Sequence, residues 1–212
     1  MSHNILIDWG GTIIRDDYLF KLIAEKSNNN KDFFQSPDSW EKIEYIGNEN
    51  YFKDIKNKFF NIGECYPLAE EVISSFTGTK QKSRTKTYIN FDNKPNLNNN
   101  LENSLQKLSE SIYDRNIDCN GIYINSDKIN LCKILQVQIA IEDDPRIAIS
   151  LALSGVKTIL MMRKWNKEFN VKDLELTMKK EKFEYIKNNI FIAEDWFDTG
   201  YIIGNIVDEN IV

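Results

Sequence analysis

The chain has 212 residues, 42% of them hydrophobic and 28% charged, with a net charge of −5 and a pI near 5.1. That is enough for one domain with a sizeable core and a small insertion, and the acidic balance argues against a general binder of nucleic acid or anionic membrane. Three scattered cysteines (Cys65, Cys119, Cys132) and one histidine, His3, leave no material for a Cys/His zinc site and set histidine-based nucleophilic catalysis aside.

"NILID" (4–8) predicts a short buried strand, closed by Asp8 and a Gly-Gly turn. From Asp16 to Phe76 apolar residues recur at three- and four-residue spacing in "DDYLFKLIAEKS", "WEKIEYI", "NYFKDIKNKFF" and "LAEEVISSF", a run of amphipathic helices. Trp40, Tyr45, Tyr51 and Phe52 supply that segment with a small core of its own. "KTYINF" (86–91) predicts a second strand and "LENSLQKLSESIYDRN" a helix with Leu101, Leu105, Leu108 and Ile112 on one face. Strands follow at 119–125, 139–144 and 157–162, separated by helices at 128–137 and from Pro145 to Gly155, the latter with proline at its start and glycine past its end. The tail reads as charged helical segments ending in "DWFDTGYIIGNIV".

Strand–helix alternation from residue 86 onward predicts an α/β protein with a parallel sheet, a three-layer α/β/α, Rossmann-like domain. Residues 1–15 and 77–212 form the expected core domain, and 16–76 a helical cap inserted after the first strand. No apolar run approaches the roughly 20 residues that span a bilayer, and no signal-peptide pattern precedes the first strand. The expectation is a cytoplasmic protein with reduced thiols and neither nucleic-acid nor membrane partners; oligomeric state is not legible.

In a parallel sheet, ligands sit at the carboxyl ends of the strands. Asp8 ends one strand, and Glu142, Asp143 and Asp144 end another, so two strands bring acidic groups to one rim. Oxygen donors without histidine or thiolate suit a hard cation, Mg²⁺ above all beside phosphate. The alternative is that these carboxylates cap helices and line solvated turns. Lys128, taken alone, reads as a solvated lysine at a helix start, with Lys133 five positions on.

"ILIDWGGTI" resembles the first motif of the haloacid dehalogenase (HAD) superfamily, an apolar strand running into D-x-D-G-T. "IYINSDKINLCKILQVQIAIEDDPRIAISLALSGVKTILMMRKWN" resembles its later motifs, and more narrowly those of the deoxyribonucleotidase-like (5′-nucleotidase, type C) branch. The resemblance implies a Mg²⁺-dependent phosphatase with Asp8 as nucleophile, forming an aspartyl-phosphate. It implies Asp143 as the main side-chain metal ligand, the Gly10 carbonyl as another, and Glu142 beside them, acting through water or bracing the ligands. Lys128 would hold Asp8 and the phosphoryl oxygens as a fixed positive charge. Gly11 and Thr12 fit the turn that brings backbone N–H groups to phosphate, and Asn90 stands where the family has Thr or Ser. The implied partner is a small phosphomonoester, a nucleoside monophosphate foremost.

One position departs from the pattern. Gly10 stands where the resembling phosphatases have their general acid–base aspartate, a role worth roughly 10²- to 10⁴-fold in rate. Asp16 and Asp17 lie beyond the turn and read as helix-start residues. Three readings follow: a phosphatase that finds its acid elsewhere or acts on good leaving groups; a catalytically impaired binder of a phosphorylated ligand or partner; or a phosphonoacetaldehyde-hydrolase-type enzyme, whose motif resembles "DWGGT" and whose Schiff-base lysine would be sought at Lys42, Lys53 or Lys56.

Overall fold

A computed structural model of the chain describes residues 3–15, 63–77, 85–91 and 101–209. In chain order the elements are β1 His3–Asp8, α1 Ala69–Thr77, β2 Thr85–Phe91, α2 Leu101–Asp114, β3 Gly121–Ile124, α3 Lys128–Ile134 and β4 Ile139–Glu142. Then come α4 Pro145–Leu153, β5 Lys157–Met161, a 3₁₀ turn Val171–Leu176, α5 Lys180–Lys187, β6 Ile190–Ala193 and α6 Trp196–Glu209.

The six strands form one parallel sheet in the order β3-β2-β1-β4-β5-β6. Successive side chains of a strand point to opposite faces, which divides the core in two. Ile5 and Ile7 of β1 join Ile89, Ile139, Ile141 and Ile159 in a cluster completed by Ile73 of α1, Leu108 and Ile112 of α2, and Ile203 and Ile206 of α6. Leu6 and Ala140 face the other way, onto Leu131 of α3 and Leu151 of α4, and Leu160 meets Ala148 and Ala152 of α4 and Ile186 of α5. Helices therefore cover both faces, which is the expected three-layer α/β/α arrangement. With both faces covered, the central strands are apolar almost without interruption.

β6 adds a strand to a tail whose reading contained only helices. Its "IFIA" run is too short to display a period of two, and it sits at the edge of the sheet, pairing with β5 from Thr158↔Ile190 to Met161↔Ala193. By contrast α4 follows its sequence signals: Asp144 accepts from the Arg146 N–H, Pro145 opens the helix, and Gly155 follows the C-cap Ser154 at φ +92°.

Of the expected cap, residues 16–62 lie outside the described residues. The chain leaves and re-enters the core through a short antiparallel pair: Ile14 bridges Cys65, Arg15 N–H donates to Glu64 O at 2.9 Å, and Tyr66 N–H donates to Ile13 O at 2.9 Å. Ala69–Thr77 then packs in the layer with α6, with Val72 against Gly200.

The strand order reverses between β1 and β4: the chain builds β1, β2 and β3 outward on one side, then crosses back to β4. Such a switch point leaves a crevice at the carboxyl ends of the two central strands. Register places Asp8 opposite Asn90 of β2, and Ile7 opposite Ile141 of β4, one residue before Glu142. Among the described residues no helix is long and apolar enough to cross a membrane.

Candidate active site

Four buried or half-buried ionisable groups converge at the switch point. Lys128, the first residue of α3, is 3% exposed, and its Nζ lies 2.6 Å from Asp8 Oδ1 and in ion-pair contact with Glu142 Oε1. Asp127 caps the helix by accepting from Asn130 N–H at 3.0 Å, which fixes where Lys128 starts. Asp143 completes the cluster: one carboxylate oxygen from each of Asp8, Glu142 and Asp143 lies within 4.8 Å of the others. Lys133 is exposed on α3 and stands outside this group.

Charge sets the character of the site. Three carboxylates face two cations, Lys128 and Arg163, so the cluster holds an excess of negative charge in a poorly hydrated place. Burial pushes the Asp143 carboxyl up to about 6; the positive charges of Lys128 and Arg163 and the Trp165 hydrogen bond pull the other way, and Asp144 adds to the rise. A carboxylate so placed is relieved either by a proton or by a cation. The donors are all oxygen, which fits a hard divalent ion.

The acidic run "EDD" splits into two roles. Glu142 and Asp143 face the crevice, whereas Asp144 Oδ1 accepts from the Arg146 N–H at 2.8 Å and Oδ2 pairs with Arg146 Nη2 at 2.9 Å. Burial alone would raise Asp144, but the Arg146 hydrogen bonds outweigh it and hold that carboxyl below its usual range. Helix capping and ligand presentation are thus divided along one short stretch.

The turn after β1 is drawn tight. Ile13 and Ile14 N–H groups both donate to Trp9 O, and Gly11 N–H donates to Ile14 O at 3.0 Å. The Gly11 N–H therefore closes the turn itself rather than projecting to a ligand. What the site needs from Gly11 is the missing side chain: at φ +69°, a Cβ there would lie 2.3 Å from Asp143 Oδ2 and 2.9 Å from the Trp165 ring. Thr12 is fully buried and directs its hydroxyl to Asp143 Oδ1 at 3.4 Å. Asn90, also fully buried at the end of β2, donates from Nδ2 to Asn125 O at 3.0 Å, tying β2 to the loop after β3. Gly10 sits in the same turn, bridged to Ile14, and brings no side chain.

The segment after β5, "RKWN", braces this turn. Arg163 Nε donates to Gly11 O at 2.7 Å and Nη2 to Thr12 O at 3.3 Å, while the guanidinium lies 3.7 Å over the Tyr66 ring. Asn166 Nδ2 donates to Asp143 O at 2.7 Å and to Met161 O at 2.8 Å, and its Oδ1 accepts from Arg163 N–H at 2.6 Å. Trp165 Nε1 donates to Asp143 Oδ2 at 2.9 Å. Beside these residues opens a cavity of about 470 Å³, lined among others by Tyr66, Arg163, Lys164, Trp165, Lys167 and Trp196.

Two residues at the site carry no sequence signal for it. Tyr66 supports Arg163, and Trp196 Nε1 donates to Thr12 O at 3.0 Å across 184 positions. Asp16, Asp17, Lys42, Lys53 and Lys56 lie outside the described residues.

No family model and no curated protein matches the sequence. Solved structures do match the fold. L-2-haloacid dehalogenase from Xanthobacter autotrophicus superimposes with a TM-score of 0.58 at 11% identity, over 96% of this chain and 98% of that one. The same enzyme with chloropropionic acid covalently bound gives 0.53 at 11% identity, again over 96% and 98% of the two chains. D,D-heptose 1,7-bisphosphate phosphatase from Burkholderia thailandensis gives 0.53 at 8% identity over 95% and 98%. These likenesses define the class of fold: an α/β, Rossmann-like architecture of the HAD type.

Proposed function

We propose that the chain is a Mg²⁺-dependent phosphohydrolase acting on a small phosphomonoester through an aspartyl-phosphate, with nucleoside monophosphates as the first substrates to test. The observation that carries this reading is Lys128 held between Asp8 and Glu142, with Asp143 completing a three-carboxylate cluster at the switch point. A phosphatase and a dehalogenase among the structural neighbours agree with hydrolytic chemistry on this fold.

Asp8 is the nucleophile. Its free electron pair attacks phosphorus, the bond to the leaving oxygen breaks with its electrons, and a mixed anhydride forms on Asp8. Water then attacks phosphorus, releasing inorganic phosphate and restoring the Asp8 carboxylate. Lys128 keeps a fixed positive charge against Asp8 and the phosphoryl oxygens through both steps, in a site where water screens it little. A magnesium ion held by Asp8, Asp143 and the Gly10 carbonyl, with Glu142 beside it, would offset the charge of the transferring group.

Gly10 offers no proton to the leaving group. The reading therefore expects slow turnover of nucleoside monophosphates, whose leaving oxygen departs as a sugar alkoxide, and faster turnover of an aryl phosphate, whose leaving oxygen is a more stable anion. The same glycine supports a second reading, a protein that binds a phosphorylated ligand without turning it over. Phosphate release from ribo- and deoxyribonucleoside monophosphates and an aryl phosphate, with and without Mg²⁺, separates the two. Mg²⁺-dependent turnover abolished in Asp8→Asn supports the hydrolase. Turnover only in Gly10→Asp supports the binder, and silence in both proteins refutes the phosphohydrolase reading.

A further inference from the structure

We infer that Trp165 is a positioning residue that presents Asp143 as a one-oxygen ligand and thereby biases the site toward small, strictly octahedral cations over calcium. This rests on the metal reading above, and goes further by naming what sets the choice of ion.

Asp143 is held by its neighbours through its carboxylate and its backbone. Its Oδ2 accepts the Trp165 indole N–H at 2.9 Å, a normal length, while Oδ1, among the described residues, accepts from the Thr12 hydroxyl at 3.4 Å. Its backbone oxygen is held by Asn166 at 2.7 Å. One oxygen is thus firmly engaged by the protein, and the other carries a long contact that a cation replaces at little cost. A carboxylate chelates with both oxygens only when both direct lone pairs at the ion, and the indole competes for one of them.

Glycine at position 11 leaves room for the Asp143–Trp165 pair. Oδ2 and the Trp165 ring edge both crowd the place where a Gly11 side chain would stand, at 2.3 and 2.9 Å from that point. The indole is itself anchored through its neighbours: Asn166 ties the segment to Met161 O and Asp143 O, and Arg163 ties it to Gly11 O. Trp165 is only half-buried, beside the cavity of about 470 Å³, so core packing alone does not account for its placement.

Ion size turns this geometry into selectivity. Calcium takes six to eight oxygens at about 2.3–2.6 Å and readily uses two-oxygen carboxylates, whereas magnesium requires about 2.0–2.1 Å and near-ideal octahedra of single oxygens. A rigid N–H donor on Oδ2 favours the second arrangement. Groups that orient ligands in this way typically control metal affinity by about 10- to 100-fold.

The test is equilibrium binding of Mn²⁺, as the paramagnetic stand-in for Mg²⁺, to the full chain, with Ca²⁺ as competitor, in wild type and Trp165→Phe. Phenylalanine keeps an aromatic ring and removes the donor. The expected result is a loss of Mn²⁺ affinity of about 10- to 100-fold, with a smaller loss or a gain for Ca²⁺, so that the Mn²⁺/Ca²⁺ preference falls by about tenfold. A role in packing alone lowers both affinities together, and an unchanged ratio overturns the inference. A second measurement needs no variant: the indole N–H resonance of Trp165 shifts on titration with Mg²⁺, and a resonance that stays still while Mg²⁺ binds also overturns it. A wild type that binds no Mn²⁺ refutes the metal reading and this inference together, which distinguishes that failure from failure of the inference alone.

Discussion

Replacing Lys128 by methionine keeps much of the buried volume and removes the cation between Asp8 and Glu142. At 2.6 Å the Lys128–Asp8 pair is worth about 6 kcal/mol of gross attraction at an effective dielectric constant of 20, before desolvation is charged against it. The variant does not lose all of that, because it has a cheaper way out. With carboxylate oxygens within 4.8 Å of each other, two uncompensated charges repel by about 3–4 kcal/mol, and one carboxyl takes up a proton instead. Protonating a glutamate of ordinary pKa costs about 4 kcal/mol at pH 7 and about 1 kcal/mol at pH 5. The expected loss of unfolding free energy is therefore about 3–5 kcal/mol near neutrality, in line with other broken buried pairs, and about 1–2 kcal/mol at pH 5. Urea unfolding in EDTA at the two pH values measures both. Adding Asp8→Asn and Glu142→Gln to Lys128→Met should recover most of the loss, since the repulsion between Asp8 and Glu142 is gone and Asp143 still faces Arg163. A deficit below about 1 kcal/mol at pH 7, or one equally large at pH 5, would show that Lys128 does not hold these carboxylates ionised.

Three further outcomes follow from the same geometry. Asp143→Asn should make the ion-free protein more stable at pH 7.5 by about 1–3 kcal/mol: a folded carboxyl raised to about 6 penalises the ionised form above that pH, and the gain should vanish as pH falls toward 3.8, which thermal melts in EDTA across that range check. Gly11→Ala places a Cβ 2.3 Å from Asp143 Oδ2 in a left-handed backbone; it should cost at least about 1–2 kcal/mol and abolish Mn²⁺ binding, as denaturation and metal titration would show. Burial pushes the thiols of Cys65 and Cys132 up to about 12, so native protein at pH 8 should react with iodoacetamide far more slowly than urea-unfolded protein; equal rates would contradict the placement.

The parts of this site that the sequence announced are those built from contiguous residues. "ILID" followed by Gly-Gly, Asp127-Lys128 at a helix start and "EDDP" at a strand end each combine a local structural signal with a chemical group, and parallel register then brings them to one rim. β6 escaped because its four-residue apolar run merges into the helical segments on either side, and its strand character lies in its pairing with β5. Tyr66 and Trp196 escaped because their partners, Arg163 and Thr12, are distant in the chain. Arg163 works structurally: its guanidinium holds Gly11 O and Thr12 O and lies over the Tyr66 ring. Asn90, read from its position as a phosphate contact, gives one amide N–H to Asn125 O.

The paired segments at Ile13–Arg15 and Glu64–Tyr66 carry a consequence for how such a protein can change over time. Because the chain departs and returns on neighbouring rungs of one short ladder, the sheet meets everything from 16 to 62 as it would meet a hairpin loop. The entropy of bringing those ends together grows only with the logarithm of the length between them. That stretch can lengthen, shorten or be exchanged while Asp8, Glu142 and Lys128 stay where they are. The stretch from 16 to 62 and the site residues are therefore separately evolvable, joined through two short paired segments.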